Sequence, residues 1–279
     1  MFTLAAFADE ISPDPAVQAE QLLANGVRFV ELRGAFGKNA LDFTDSEVKK
    51  IRKIFVEAGV NVFSIGSPIG KVEITHPFEE HMERFRRALD LADIFKASYI
   101  RIFSFYPPGM KAHGDWRKKH RAEVMRRLGA MRDEAANRPV TLAHENESAI
   151  YGELGSHCAD IMREVGSEKL RSVFDPANFV HCGEKCFETA WPLLREHTVY
   201  FHIKDYSREK NEVRVAGEGD GDIGRILADA RARGFSGYLS LEPHLQYAGP
   251  NRGFSGPELF KRAADALKKV LDSIGVEYR

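Results

Sequence analysis

The sequence predicts a (β/α)8 barrel, an α/β fold in which eight parallel strands alternate with helices around one closed sheet. Short apolar runs alternate with longer segments of helical periodicity from one end of the chain to the other. There are eight such runs, the number that closes a barrel of this kind. No linker rich in Pro, Ser or Gly divides the chain, and these barrels often exceed the length of an average domain. We therefore expect residues 1–279 to form a single domain.

The eight apolar runs are the predicted strands. They cover residues 3–7, 29–32, 61–65, 99–103, 140–143, 171–174, 198–201 and 238–241. Asp9 and Glu10 follow the first run closely, and no basic leader precedes it. We therefore expect a strand at this end of the sequence and not a signal peptide.

The segments between the runs carry signals for helices. Asp45 opens a predicted helix that ends near Gly59, because glycine commonly stops helices. Pro77 opens a second one, in which apolar residues recur at helical spacing up to residue 96. Further helices are predicted over residues 115–136, 156–164, 223–233 and 257–273. The longest predicted loop, residues 206–222, follows a strand and is therefore expected on the catalytic face of the barrel.

The composition excludes several classes of partner. Forty Lys and Arg residues balance forty-one Asp and Glu residues, which argues against a nucleic-acid partner or an anionic membrane surface. No apolar run approaches the ~20 residues that cross a bilayer. Three cysteines, an odd number, argue against a disulfide framework and favour the reducing cytoplasm. The sequence leaves a homo-oligomer open.

Four polar side chains stand where predicted strands end: Glu145, Asp175, His202 and Glu242. A buried carboxylate is costly unless it is paired or bound. The carboxyl ends of parallel barrel strands meet on one face, and carboxylates with an imidazole suit one divalent cation. The sequence therefore predicts a shared metal site at this face.

The residues beside the quartet leave some assignments open. Glu147 follows Glu145 by two positions and points the same way if the strand stays regular. We expect Glu145 to be the metal ligand, because it lies nearer the apolar run, and Glu147 to contact substrate or cap the following loop. Lys204 shares one side of its strand with His202, where it could steady an enolate oxygen.

Other polar residues near strand ends are expected to select the substrate. Most are cations or hydroxyl groups, which suit a carboxylate, a phosphate or several sugar hydroxyls, although each could instead form a loop salt bridge. The candidates are Glu31, Arg33, Ser64, Ser67, Lys71, Arg101, Glu147, Asn178, Lys204 and Arg252.

These motifs resemble the sugar phosphate isomerase/epimerase family of xylose isomerase-like TIM barrels, and the resemblance extends over essentially the whole chain. The motifs that carry it are Glu145-Asn146, Asp175-Pro176-Ala177-Asn178, His202-Ile203-Lys204-Asp205 and Glu242-Pro243-His244. The resemblance implies a single Mn²⁺, Mg²⁺, Co²⁺ or Zn²⁺ ion held by the quartet. It also implies that Glu145 and Glu242 are catalytic, moving protons on opposite sides of a substrate carbon.

The reaction implied is isomerisation or epimerisation of a small sugar, sugar phosphate or keto-polyol. A bound cation lowers the cost of the enediolate that forms when a proton next to a carbonyl is removed. Sugar epimerases of this kind often carry a histidine three residues after the metal aspartate, where this chain has Asn178. Because the same scaffold hosts inosose and 3-dehydroshikimate dehydratases, a metal-dependent dehydratase is the alternative. An endonuclease IV-like hydrolase and a non-catalytic sugar-binding barrel rank below it.

Overall fold

Eight parallel strands close into a barrel, and each pairs with the next one along the chain. The computed structural model describes residues 1–111, 114–246 and 254–279. The last strand pairs with the first, with Tyr238 opposite Thr3, and completes the ring. The predicted fold class is confirmed. The strands are β1 (Thr3–Ala6), β2 (Phe29–Leu32), β3 (Asn61–Ile65), β4 (Tyr99–Ile102), β5 (Thr141–Glu145), β6 (Leu170–Phe174), β7 (Thr198–Ile203) and β8 (Tyr238–Leu241).

Helices occupy the connections between the strands. They are α1 (Pro15–Ala24), α2 (Asp45–Ala58), α3 (Phe78–Phe95), α4 (Trp116–Glu134), α5 (Gly155–Val165), α6 (Pro176–His181), α7 (Trp191–Leu194), α8 (Ile223–Ala232) and α9 (Gly256–Ser273). A π-helical turn, Cys186–Ala190, leads into α7. Short 3-10 turns lie at Ala8–Glu10, Ala40–Asp42 and Pro108–Met110. No helix in the described ranges is long and apolar enough to cross a membrane.

The predicted helices agree with the observed ones, and three observed helices were not predicted. Helix α2 illustrates the agreement, because Thr44 and Glu47 form a reciprocal capping box at its start. It ends at Gly59, whose φ of 72° is the left-handed conformation that favours glycine. The sequence patterns miss α1, although its N-cap Asp14 is a recognisable signal. They also miss α6 and α7, which are too short for a periodic pattern.

Two strands run further than their apolar residues indicate. Strand β5 continues to Glu145 and β7 to Ile203, so the predicted ends at residues 143 and 201 are wrong. The apolar pattern predicts that each strand ends at its last apolar residue, whereas both strands continue through a histidine. Inside a barrel a strand can carry ionisable side chains when oppositely charged groups from other strands meet them.

The barrel interior has an apolar floor beneath its polar mouth. Ala5, Phe63, Ala143, Val173 and Tyr200 form a separate buried cluster inside the ring. The rings of Phe63 and Tyr200 meet edge to face, with their centroids 5.3 Å apart. This layer fills the lower part of the barrel, so the ionisable residues lie towards the carboxyl ends of the strands.

The predicted loop over residues 206–222 is partly ordered as a hairpin. Asp205–Ser207 pairs with Glu212–Arg214 in antiparallel fashion, and a smaller hairpin, Gly34–Ala35 with Lys38–Asn39, follows β2. The Asp205 carboxylate accepts backbone N–H bonds from three alternate glycines, at 2.8 to 3.1 Å. This carboxylate therefore ties the end of the loop to the end of β7.

Replacing one of these glycines should weaken the loop. A Cβ atom on Gly219 would lie 2.4 Å from Asp205 Oδ1, too close for any contact. We expect Gly219→Ala to lower the free energy of unfolding by about 1–3 kcal/mol in urea denaturation. Gly224→Ala, within α8, is the control, because a Cβ there meets Val270 and Ile274 at ordinary distances of 3.7 and 4.0 Å and alanine favours the helix. A Gly219→Ala variant as stable as wild type would contradict this role for the hydrogen bonds between Asp205 and the glycines.

A buried histidine in α3 should make stability depend on pH. His81 accepts the backbone N–H of Gly70 at 3.2 Å, and burial lowers the pKa of His81 to about 4. In the unfolded chain His81 therefore binds a proton near pH 6.5, whereas in the folded chain it does so only near pH 4. This contribution to stability is complete above pH 6.5 and falls as the pH drops towards 4, by up to about 1.4 kcal/mol per pH unit.

The comparison of two variants isolates this effect. His81→Gln retains an acceptor for Gly70 and removes the titration, so its unfolding free energy should decline less than that of wild type between pH 6.5 and 4. His120→Gln, on α4, is the control and should follow the wild-type profile. Identical pH profiles for wild type and His81→Gln would refute the assignment.

Candidate metal centre

The four predicted ligands converge at the mouth of the barrel. Glu145 and His202 belong to β5 and β7, whereas Asp175 and Glu242 directly follow β6 and β8. All four are buried, and one ligand atom from each lies within 4.8 Å of the others. His202 Nδ1 lies 3.0 Å from Glu145 Oε1, 3.6 Å from Glu242 Oε2 and 3.8 Å from Asp175 Oδ2. The sequence-predicted quartet is therefore brought together in space.

The donor set fits a divalent cation. His202 Nδ1 and Asp175 Oδ2 are fully buried, and neither makes a hydrogen bond of acceptable geometry to any described residue. Each has a charged neighbour, Lys204 Nζ at 2.8 Å from Asp175 Oδ2 and Glu145 Oε1 at 3.0 Å from His202 Nδ1, and a bound cation would give both atoms a direct partner. One imidazole nitrogen and three carboxylates are ligands that Mn²⁺, Co²⁺ and Zn²⁺ accept, and the carboxylates also suit Mg²⁺. The quartet could hold such an ion.

Glu147 occupies a different position from Glu145. Its side chain is partly exposed, and Oε2 of Glu147 accepts a hydrogen bond from Lys71 Nζ at 2.9 Å. It does not belong to the group of four converging ligand atoms. The geometry therefore favours Glu145 over Glu147 as a ligand.

Cations surround the quartet and neutralise its carboxylates. Lys204 Nζ lies 2.8 Å from Asp175 Oδ2 and 2.6 Å from Glu242 Oε2. Arg101 Nη1 lies 3.2 Å from Glu145 Oε2. Burial opposes the ionisation of Glu145, but His202 and Arg101 outweigh it and lower the pKa of Glu145 to about 2. Glu242 responds in the same way, because Lys204 and its other cationic neighbours hold its pKa well below the usual range despite burial.

His202 is affected in the opposite sense. Burial alone would lower the pKa of His202, but the carboxylates of Glu145 and Glu31 raise it well above its usual range. Burial also dominates at Asp175, whose pKa is raised although Lys204 lies beside it. The imidazole and the carboxylates thus stabilise one another's charges in a site from which water is largely excluded.

A second group of ligand types lies next to the quartet but already contains a cation. Glu10, Glu242 and His244 offer ligand atoms within 4.8 Å of one another. The Arg33 guanidinium lies among them, with Nη1 2.9 Å from Glu242 Oε1 and Nη2 3.5 Å from Glu10 Oε1. Burial raises the pKa of Glu10 to about 8. This group is therefore built around arginine.

The quartet opens into a cavity of about 260 Å³. Most of its lining residues are ionisable, which suits a polar substrate. They are Arg33, Asn39, Pro68, Lys71, Arg101, Glu145, Glu147, Lys204, Glu242 and His244.

Two aromatic rings contact the cations of this cavity. The guanidinium groups of Arg33 and Arg101 lie 4.7 and 4.9 Å from the centroid of the Phe7 ring. Arg101 and Lys71 lie 5.0 and 4.3 Å from the centroid of the Phe103 ring. Cation–π attraction therefore helps to hold these three positive groups in place.

Five of the predicted substrate residues line the cavity, namely Arg33, Lys71, Arg101, Glu147 and Lys204. Glu31 and Ser64 do not, because both are fully buried beneath the quartet. Asn178, at the start of α6, donates to Glu145 Oε1 at 3.3 Å and does not line the cavity either. Substrate contact by any of these residues stays a prediction, and Arg252 lies outside the described residues.

Three lining residues were not among the predicted site residues. For His244 the available signal is its position two residues after the predicted ligand Glu242, in Glu242-Pro243-His244. Asn39 belongs to the hairpin after β2, and Pro68 follows β3 closely. Neither carries a distinctive local pattern, because only the folding of these loops over the mouth brings them to the cavity.

The site and the fold define a class of protein, a parallel barrel with a buried cluster of carboxylates and an imidazole that could hold a metal ion at the carboxyl ends of its strands. The chain belongs to the xylose isomerase-like TIM barrel family, whose sequence model matches residues 19–272. No curated protein sequence matches the chain.

Solved structures share the fold at low sequence identity. A xylose isomerase-like TIM barrel protein from Mycobacterium smegmatis in complex with magnesium is 16% identical, with a TM-score of 0.71 over 98% of this chain and 97% of its own. A D-psicose 3-epimerase from Clostridium cellulolyticum H10, solved with D-tagatose, is 12% identical, with a TM-score of 0.75 over 98% and 99%. The probable 3-DHS dehydratase AsbF from Bacillus anthracis is 16% identical, with a TM-score of 0.73 over 96% and 98%.

Proposed function

We propose that this protein is a divalent-metal-dependent isomerase or epimerase that acts on a small sugar or keto-polyol. The observation that carries the proposal is the convergence of Glu145, Asp175, His202 and Glu242 at the base of a charged cavity. Two of these residues, Glu145 and Glu242, also line the cavity and can therefore face a bound substrate. A location in the cytoplasm, the absence of a nucleic-acid partner and any homo-oligomer stay predictions from the sequence.

The proposed chemistry begins with loss of a proton from the carbon next to a carbonyl group. A divalent cation in the quartet would supply charge stabilisation for the resulting enediolate. Glu145 and Glu242 each have one carboxylate oxygen near His202 and another that faces a cavity arginine. One glutamate would remove the proton as a carboxylate and later release it to solvent. The other would deliver a proton taken up from solvent, either to the opposite face of the same carbon or to its neighbour.

Lys204 is placed to assist this step. Its ammonium group lines the cavity and contacts both Asp175 and Glu242. A fixed positive donor there can stabilise negative charge as it develops on a substrate oxygen. Arg101 would contribute to the same field while its bonds to the backbone oxygens of Gly66 and Ser67 hold it in place.

A dehydratase is the second candidate, and Asn178 is the observation that favours it. The Asn178 amide donates to Glu145 Oε1 and to the backbone oxygen of Asn146, at 3.3 and 2.8 Å. An amide exchanges no proton with substrate, so a reaction that needs a titratable group here is disfavoured. After proton removal, Lys204 could protonate a β-hydroxyl as it leaves, which gives a dehydrated product.

The metal assignment predicts a difference between two neighbouring glutamates. Glu145→Gln and Glu242→Gln should each weaken binding of Mn²⁺ or Zn²⁺. Loss of a residue that hydrogen-bonds to a metal ligand typically lowers metal affinity about 10–100-fold, and loss of a ligand itself should lower it at least as much. Titration calorimetry measures this affinity. Glu147→Gln is the matched control and should bind the ion as wild type does. Unchanged affinity in both Glu145→Gln and Glu242→Gln would refute the site.

The reaction class is tested by isotope exchange. Wild-type protein loaded with metal and incubated in D2O with a panel of ketoses and inososes should incorporate deuterium next to the carbonyl of one substrate, as followed by ¹H NMR. Removal of the metal should abolish the exchange, because the enediolate loses its stabilisation. An epimer or isomer as product supports the proposal, whereas loss of water identifies the dehydratase. If no substrate of the panel shows either exchange or turnover, the isomerase and the dehydratase proposals are both contradicted.

A further inference from the structure

Glu31 lies beneath the quartet, at the end of β2, and is completely buried. Four groups surround its carboxylate. Ser64 Oγ and Tyr200 Oη contact Oε1 at 3.2 and 2.9 Å, and Ser240 Oγ and His202 Nε2 contact Oε2 at 2.9 and 3.1 Å. An ionised carboxylate has about four acceptor sites and no proton to donate, so these four contacts satisfy it.

This geometry determines how His202 can be protonated. Because Glu31 accepts, the Nε2 atom of His202 must carry a proton and donate it. A metal ion binds a histidine in its neutral form, and in that form the other ring nitrogen, Nδ1, has no proton and its lone pair is free. Nδ1 is the atom that lies 3.0 to 3.8 Å from the three quartet carboxylates.

We infer that Glu31 is a positioning residue for the metal centre, which selects the His202 tautomer and fixes the direction of its ring. The inference rests on the proposed metal site and adds a role that the quartet alone does not contain. It also gives a reason for the three hydroxyl groups that donate to Glu31. Two of them, from Ser64 and Tyr200, bind Oε1, the oxygen of Glu31 that does not contact His202.

The surroundings of His202 restrict it further. The Phe7 ring meets the imidazole edge to face, with centroids 5.0 Å apart, and the Tyr200 ring lies 5.6 Å away. These apolar contacts limit ring motion but cannot distinguish Nδ1 from Nε2. The hydrogen bond to Glu31 makes that distinction when a cation occupies the Nδ1 side, where Glu145 Oε1 lies 3.0 Å away. Packing and tautomer therefore have separate causes.

Substitution of Glu31 tests the inference through metal affinity. Glu31→Gln keeps the shape of the side chain but replaces one acceptor oxygen by an NH₂ donor. We expect the affinity for Zn²⁺ to fall about 10–100-fold, as it does when a hydrogen-bond partner of a metal-bound histidine is lost. Competition with a chromophoric chelator measures it. Ser172→Ala is the control, because it removes another buried hydroxyl of the barrel, which donates to the backbone oxygen of Val173 and not to Glu31. It should bind Zn²⁺ as wild type does.

A second measurement is made on wild-type protein, so its result does not depend on whether the Glu31→Gln variant folds. In Zn²⁺-loaded protein labelled with ¹⁵N-histidine, the His202 ring should show a protonated Nε2 and a metal-bound Nδ1, with its signals assigned by their loss in His202→Gln. A metal-bound Nε2 would overturn the inference. Unchanged Zn²⁺ affinity in a folded Glu31→Gln variant would also overturn it. If wild type itself binds no ion, the proposed metal site fails, and the inference fails with it.

Discussion

The structure depends on one electrostatic arrangement, the burial of three carboxylates and an imidazole within a few ångströms of one another at the barrel mouth. Each charge would be unfavourable there alone. Arg33, Arg101 and Lys204 approach the carboxylates to within 3.2 Å, so the charges are stable only as a group. Removing one member of such a buried group typically costs about 3–5 kcal/mol, because its partners remain uncompensated. Binding function and local stability therefore rest on the same contacts.

The barrel makes this arrangement possible through its parallel strands. All eight strands end on one face, so residues far apart in the chain, such as Glu31 and Glu242, share a single mouth. The apolar floor below includes Phe63 and Tyr200, whose rings are in contact, and it fills the barrel beneath the polar groups. Tyr200 connects the two layers, since its ring packs in the floor and its hydroxyl donates to Glu31. Rigid support for a polar site follows from this layering.

Most residues of the candidate site could be predicted from the sequence. The roles of the others depend on how deep in the barrel their side chains lie. Strand-end polarity predicted Glu145, Asp175, His202 and Glu242, because each follows an apolar run. The same pattern predicts Glu31 as a substrate contact, and the structure places its buried carboxylate against His202. The pairing of β2 with β3 shifts register between Val30 and Glu31, and no local pattern announces such a shift. His81 and Asp205 were likewise missed as structural residues, because their partners lie in other segments.

The sequence by itself determined the fold class, the alternation of strands and helices, and the polar residues at the strand ends. These features follow from hydrophobic periodicity and from helix start and stop signals, which act between residues close in the chain. Only the tertiary structure decided that Glu145 and not Glu147 joins the quartet, that Arg33 fills the neighbouring group, and that Glu31 contacts His202. Such choices depend on closure and register of the barrel, because contacts between distant strands carry no local signal in the chain.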